Sequence, residues 1–253
     1  MASTKRSALP VVLVLFVTIS CDRAPANPPA SPSPGGNPAR VLMLTATAGF
    51  RHDSIATARQ VMSNLAATSR EFTVSATEDL TQFTAANLAN YDVIFFANTS
   101  GELPFTADQK GAIVNFVSNG RGFLGTHSAT DTLYEWADYG RLVGAYFKEH
   151  PWTQQGTVVV ENGTHPAATG IGERFTLLEE FYTFRDNPRP NVQVLLRLDA
   201  GSVGSSGDYP LAWAHTFGSG RAYYNALGHF HETWNDTRFQ RQLQGAIRWA
   251  AAR

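Results

Sequence analysis

From Arg40 onward the hydrophobic positions switch between two rhythms. "RVLMLTA" (40–46) is a continuous apolar run of strand length. "DSIATARQVMSNLAA" then spaces Ile55, Ala58, Val61, Met62 and Leu65 along one helical face, with Asp53 offered as N-cap. "EFTVSAT" reads as a second strand, and "YDVIFFAN" as a third that is apolar on both faces. "TADQKGAIVNFVSNG" opens with Thr106 and Gln109 in capping-box register and closes on Gly120 as C′ residue. "RGFLGTH" supplies a fourth strand. Doubly apolar strands joined by helices predict a mostly parallel α/β sheet, covered on both faces and linked by right-handed crossovers.

The rhythm changes after about residue 150. "GTVVVEN", "FTLLEEFYTF" and "NVQVLLRLD" read as strands with little helix between them. "YPLAWAHTF", "GSG" and "RAYYNAL" predict a hairpin with a glycine-rich turn. "DTRFQRQLQGAIRWAAA" predicts a closing amphipathic helix capped by Asp236, with Phe239, Leu243, Ile247 and Trp249 or Ala250 turned inward. Residues 40–253 therefore read as one α/β domain with additional antiparallel strands.

The first 39 residues carry a different pattern. Lys5 and Arg6 precede "ALPVVLVLFVTIS", too short for a comfortable membrane span and suited to a secretory signal over residues 1–20. The run stops at Cys21, the only cysteine. "VTISC" resembles a bacterial lipobox, with Thr18 where leucine is usual; the alternative is an ordinary signal peptide cut a few residues later. Residues 21–39, rich in Pro, Ala, Ser and Gly, form a tether that cannot bury a core. The expectation is an exported protein of a bacterial cell envelope, lipid-anchored at Cys21 and facing the periplasm or the exterior. Its formal net charge of −1 offers no broad basic field for nucleic acid.

Ligands of open α/β sheets bind beyond the carboxyl ends of the strands. Those ends read "TAGFRHDS", "NTSGE", "THSATD" and "GHFHE", and four of the seven histidines fall there: His52, His127, His229 and His231. Imidazole titrates near neutrality and ligates zinc-type metals, so the cluster is a candidate for proton transfer, for a divalent metal held by His52, His127 and His229, or for both. His127 and His229 are the candidate catalytic groups. Arg51, Asp53, Ser128, Asp131, Glu180, Tyr182 and His231 are candidates for binding substrate. Glu179 and Glu180 interrupt an otherwise apolar strand, placing one carboxylate either in a cleft or on a solvated face. Tyr134 and Trp136 could stack on a sugar ring or belong to local core. His150 and His165 each precede proline, a context that favours a structural role, and His215 reads as a satisfied strand residue.

Phosphate cradles, metalloprotease signatures and a G-x-S-x-G elbow are missing. The nearest look-alike to that elbow is "GTHSA", with His127 at its centre. The stretches "GFRHDSI", "GRGFLGTHSATDTLYEWADYGRLVGAYFKEHP", "HPAATG", "YTFRDNPRPNVQVLLRLD" and "YPLAWAHTFGSGRAYYNALGHFHETW" resemble the ThuA-like (trehalose utilisation) family of the class I glutamine amidotransferase-like superfamily. The resemblance spans essentially all of residues 40–253. It implies a flavodoxin-like sheet with added strands. In true amidotransferases the elbow carries a cysteine nucleophile; here the matching position is His127, so the resemblance argues against glutamine amidotransfer. It also implies a saccharide ligand, especially an oxidised 3-keto-glycoside. Such a ligand could be enolised, epimerised or cleaved by a histidine base. A non-catalytic sugar-binding lipoprotein and a partner-binding domain remain the alternatives.

Overall fold

The computed structural model describes residues 1–2 and 37–252. The signal segment, Cys21 and the tether, apart from their ends, lie outside the described residues. Gly36–Arg253 forms one compact unit and is described by itself. Among the described residues no helix is long and apolar enough to cross a membrane.

A single nine-stranded sheet organises this unit. Strand β1 (Ala39–Leu44), helix α1 (Ile55–Ser69), β2 (Phe72–Thr77), the short α2 (Ala85–Leu88) and β3 (Val93–Ala97) come first. They are followed by α3 (Ala107–Ser118), β4 (Gly122–Thr126) and α4 (Ala137–Val143). The second half contributes β5 (Phe147–Val160), β6 (Arg174–Phe184), β7 (Gln193–Leu198), β8 (Pro210–Phe217), β9 (Gly220–Asn225), α5 (His231–Asn235) and α6 (Thr237–Ala250). The order across the sheet is β2-β1-β3-β4-β9-β8-β7-β5-β6. The first five strands run parallel, and every pairing from β9 onward is antiparallel. β3 and β4 are buried along their whole length, as strands covered on both faces must be.

Local signals explain most boundaries. Thr106 and Gln109 form the expected capping box, and Gly120 takes φ +103° just past α3. Asp236 caps α6 through the Arg238 amide, and Phe239, Leu243, Ile247 and Ala250 are buried. Two expectations need correction. Asp53 does not cap α1; Ser54 precedes the helix, and its hydroxyl donates to the Gly228 carbonyl. β5 begins at Phe147, nine residues before "GTVVVEN". Only Val158–Val160 of β5 pair with β7, so its earlier residues pair with β6 alone as a two-stranded ribbon. That unpaired edge, with a register shift between Glu149 and Trp152, tolerates Pro151, which has no N–H to give a ladder. The ribbon carries Glu180 and Tyr182 to the carboxyl end of β4.

Candidate metal and acid–base centre

Four side chains converge there. His52 comes from the β1–α1 loop, His127 from the end of β4, His229 from the segment after β9, and Glu180 from the ribbon strand β6. One potential ligand atom from each lies within 4.8 Å of all the others. His127 Nε2 is 3.1 Å from His52 Nε2, 3.2 Å from His229 Nδ1 and 3.4 Å from Glu180 Oε2. His229 Nδ1 lies 3.2 Å from the same carboxylate oxygen.

The backbone at His127 explains how an imidazole reaches this point. After the fully buried β4 the chain turns abruptly, and His127 adopts φ +46°. A left-handed conformation costs a non-glycine residue roughly 1–2 kcal/mol, so neighbouring contacts must hold it. The Tyr224 hydroxyl donates to the His127 carbonyl at 2.6 Å, and His127 Nδ1–H donates to the Ala226 carbonyl at 2.9 Å. With Nδ1–H committed to that carbonyl, the ring turns Nε2 toward the cluster.

His229 is fixed from both sides. The Gly228 carbonyl accepts from Ser54 Oγ, Asn98 Nδ2 and Trp234 Nε1. The wholly buried Glu179 carboxylate accepts from the amides of Gly228 and His229 and from Thr233 Oγ1. His52 is anchored more lightly, with Nδ1 3.4 Å from Ser128 Oγ. Its loop is set by hydrogen bonds from the amides of Ala48 and Gly49 to the Ser100 carbonyl.

The electrostatics follow from burial and mutual contact. Burial first, and the His127 and His229 charges second, lower His52 to about 3, so that ring is neutral at neutral pH. Burial opposes the charge of Glu180, but hydrogen bonds to His127 and His229 outweigh it and hold the carboxyl below its usual range. Burial likewise pulls His229 down, and the Glu180 carboxylate more than offsets this, leaving it raised. Burial pushes the Tyr182 phenol well up, so its hydroxyl, 3.0 Å from His127 Nε2, stays protonated.

Four electron-pair donors facing one point repel unless a cation sits among them. A proton can bridge only one pair, whereas a divalent ion satisfies all four. Zinc bonds of about 2.0–2.2 Å to nitrogen and oxygen place tetrahedral ligands roughly 3.3–3.6 Å apart, close to the short separations here. Imidazole and carboxylate, with no thiolate, suit zinc and neighbouring transition metals. The residues therefore fit a divalent ion, with the Ala226 carbonyl orienting one ligand from behind.

Residues 40–250 match the sequence pattern of a family described as trehalose utilisation. The chain belongs to the ThuA family. Among solved structures it resembles a protein described as ThuA-like from Bacteroides uniformis, at 25% identity and TM-score 0.73, over 87% of this chain and 95% of that one. A second ThuA-like protein, from Parabacteroides merdae, matches at 18% identity and TM-score 0.70 over 85% and 90% of the two chains. A candidate GMP synthase component from Thermoplasma acidophilum matches at 12% identity and TM-score 0.51 over 86% and 96%. That likeness concerns the fold alone. A comparison with curated proteins finds no match.

The other candidates from the sequence sit at varying removes. Ser128 is buried against His52, and Tyr182 against His127. Asp131 lies one layer out, accepting from the Tyr134 hydroxyl at 2.7 Å; burial raises its pKa against that bond. Arg51 is not brought to the cluster: it pairs with Glu78 at the surface. Asp53 and His231 form an exposed pair 3.6 Å apart, with His231 Nδ1 2.7 Å from Thr57 Oγ1. Trp136 is buried in local core, while the Tyr134 ring lies 4.0 Å beneath the Arg185 guanidinium. His150, expected to be structural, reaches the site instead, with Nδ1 3.3 Å from Glu180 Oε1. Its turn-like sequence context misled because the proline lies within the ribbon. Asn98 and Tyr224 carry no signal in the sequence, whereas Glu179, paired with Glu180 in an apolar strand, is marked there without its partners.

Proposed function

We propose that this ThuA domain acts on an oxidised saccharide, a 3-keto-glycoside, by histidine acid–base chemistry beside a divalent metal, and that it has no glutamine amidotransferase activity. The observation that carries the reading is the convergence of His52, His127, His229 and Glu180 at the carboxyl end of the parallel strands. The family's description as trehalose utilisation supports a saccharide. The amidotransferase reaction lacks its nucleophile, since the imidazole of His127 stands at the elbow and the sole cysteine is Cys21.

A 3-keto group acidifies the hydrogen on C2. His229 is the base in this scheme: its side chain is 22% exposed, whereas that of His127 is fully buried and tied through Nδ1. Glu180 stabilises the imidazolium once His229 holds the proton. Breaking C2–H and then C1–O forms a C1=C2 double bond, and the His229 proton passes to the departing glycosidic oxygen. Tyr182 donates a hydrogen bond toward the same space. His52, His127 and Glu180 would hold the ion, leaving His229 free to take the proton. A bound divalent ion supplies Lewis acidity that polarises a carbonyl.

The reading is tested by metal analysis of the purified chain and by turnover of 3-keto-trehalose, with glutamine as control. Stoichiometric metal and cleavage of the keto-sugar are expected, with no ammonia from glutamine. His229→Ala should keep the metal and lose turnover. Metal-free protein with no keto-sugar turnover would overturn the reading. Lipid anchoring at Cys21 is part of the same proposal, checked by loss of lipid labelling in Cys21→Ser.

A further inference from the structure

Apart from Met1, the exposed large apolar side chains among the described residues are Phe50, at 67%, and Leu178, at 45%. A single surface phenylalanine ordinarily needs no explanation. Phe50 differs because of where it stands and how it is held. It lies two residues before His52, and the two rings meet edge-on with centroids 4.8 Å apart. Its carbonyl accepts from Ser100 Oγ at 2.5 Å, and the two preceding amides bond the Ser100 carbonyl. Thr47 bridges Ser100 in parallel register. The chain packs so closely here that a Cβ on Gly101 would come within 2.5 Å of the Gly49 amide nitrogen. The backbone thus fixes an apolar ring in water beside a polar centre. Leaving that ring uncovered forfeits about 25 cal/mol for each Å² of apolar surface.

Asp53, on the other side of His52 in the chain, has an 86% exposed side chain beside His231 Nε2. An exposed apolar ring on one side of His52 in the chain, and a carboxylate paired with an imidazole on the other, suit a ligand that is apolar on one face and rich in hydroxyls at its rim. A pyranose ring has that character.

We infer that Phe50, with Asp53 and His231, forms a second sugar subsite at the mouth of the histidine cluster. It takes the non-reacting ring of a disaccharide by stacking on Phe50 and by hydroxyl hydrogen bonds to Asp53 and His231. This inference rests on the reading of the cluster as a saccharide site. The subsite acts through binding: it selects two-ring over one-ring substrates.

The test compares 3-keto-trehalose with methyl 3-keto-glucoside on the full chain, with metal content measured alongside. Phe50→Ala should lower the two-ring preference in kcat/KM by about five- to tenfold with metal content unchanged, the scale of one aromatic contact. Phe50→Trp should restore the preference, and Asp53→Asn should reduce it by a smaller factor. An unchanged preference in Phe50→Ala overturns the subsite while leaving the cluster's chemistry standing. If wild-type protein turns over neither compound, the cluster reading fails by itself. The subsite is then read from the fluorescence of Phe50→Trp, compared with wild type, on titration with trehalose and with glucose. A change with trehalose alone supports it, and no change with either overturns it.

Discussion

The two halves of the sheet contribute to the centre in different ways. The parallel half ends three of its strands near one point, and loops from β1, β4 and β9 deliver His52, His127 and His229. Their positions follow from strands buried on both faces, whose register cannot slip without exposing core. The antiparallel half reaches the same point only through the β5–β6 ribbon, which brings Glu180, Tyr182 and, more loosely, His150. The parallel frame thus holds the imidazoles, and the antiparallel strands bring the carboxylate that they face. A centre built this way can change its carboxylate or its aromatic partner without disturbing the sheet that fixes its histidines.

Substitution on the parallel side should have the largest effect. His127→Ala removes the ligand at the middle of the cluster and should weaken metal binding by more than about 100-fold, beyond what loss of a supporting contact costs. Metal titration of chelated protein checks this. Equal affinity in His127→Ala and wild type would mean that β4 does not anchor the centre.

The next effect lies at the joint between the halves. Glu179→Ala leaves the Gly228 and His229 amides and the Thr233 hydroxyl without their buried acceptor. Unpaired buried donors cost about 1–3 kcal/mol each, so a loss of roughly 3 kcal/mol is expected. Denaturant unfolding measures it. A change under about 0.5 kcal/mol, the scale of an ordinary surface substitution, would show that the ribbon does not brace the His229 segment.

The last effect is one of pH, spread over several pH units instead of being felt at one condition. His52 titrates near 3 in the fold against 6.5 for the free side chain. The unfolded chain therefore binds the extra proton between these values, and metal-free stability falls as pH drops from about 6.5 toward 3. The slope from this group reaches about 1.4 kcal/mol per pH unit. His229 works in the opposite sense. Its pKa is raised, so its contribution is complete below 6.5 and is lost as pH climbs through the raised value. His52→Gln should flatten the acid-side slope alone. Parallel stability curves for variant and wild type would show that the fold does not hold His52 neutral.

Much of this architecture was legible in the chain because its physics is local. All nine strands announce themselves as apolar runs, and Thr106, Gly120 and Asp236 punctuate helices as their chemistry requires. The ribbon half of β5 escaped notice because "FKEHPWTQQ" lacks alternation and contains proline, and only β6 pairs with it. Tyr224 was invisible as a support for the elbow because its role depends on β9 lying beside β4, a neighbour about 100 residues away in the chain. Asn98 holds Gly228 across a still longer separation. Histidines at strand ends could be gathered by topology alone, whereas the approach of His150 needed the bulged path of the ribbon in three dimensions.

The Gly228–His229 segment carries one further consequence, in time rather than space. Its carbonyl is held by three donors and its two amides by a buried carboxylate, so hardly any local fluctuation frees it. Those two amide hydrogens should exchange with solvent only when the whole domain opens, among the slowest in the molecule. Whatever binds beside His229 should therefore meet a wall that stands still on the histidine side.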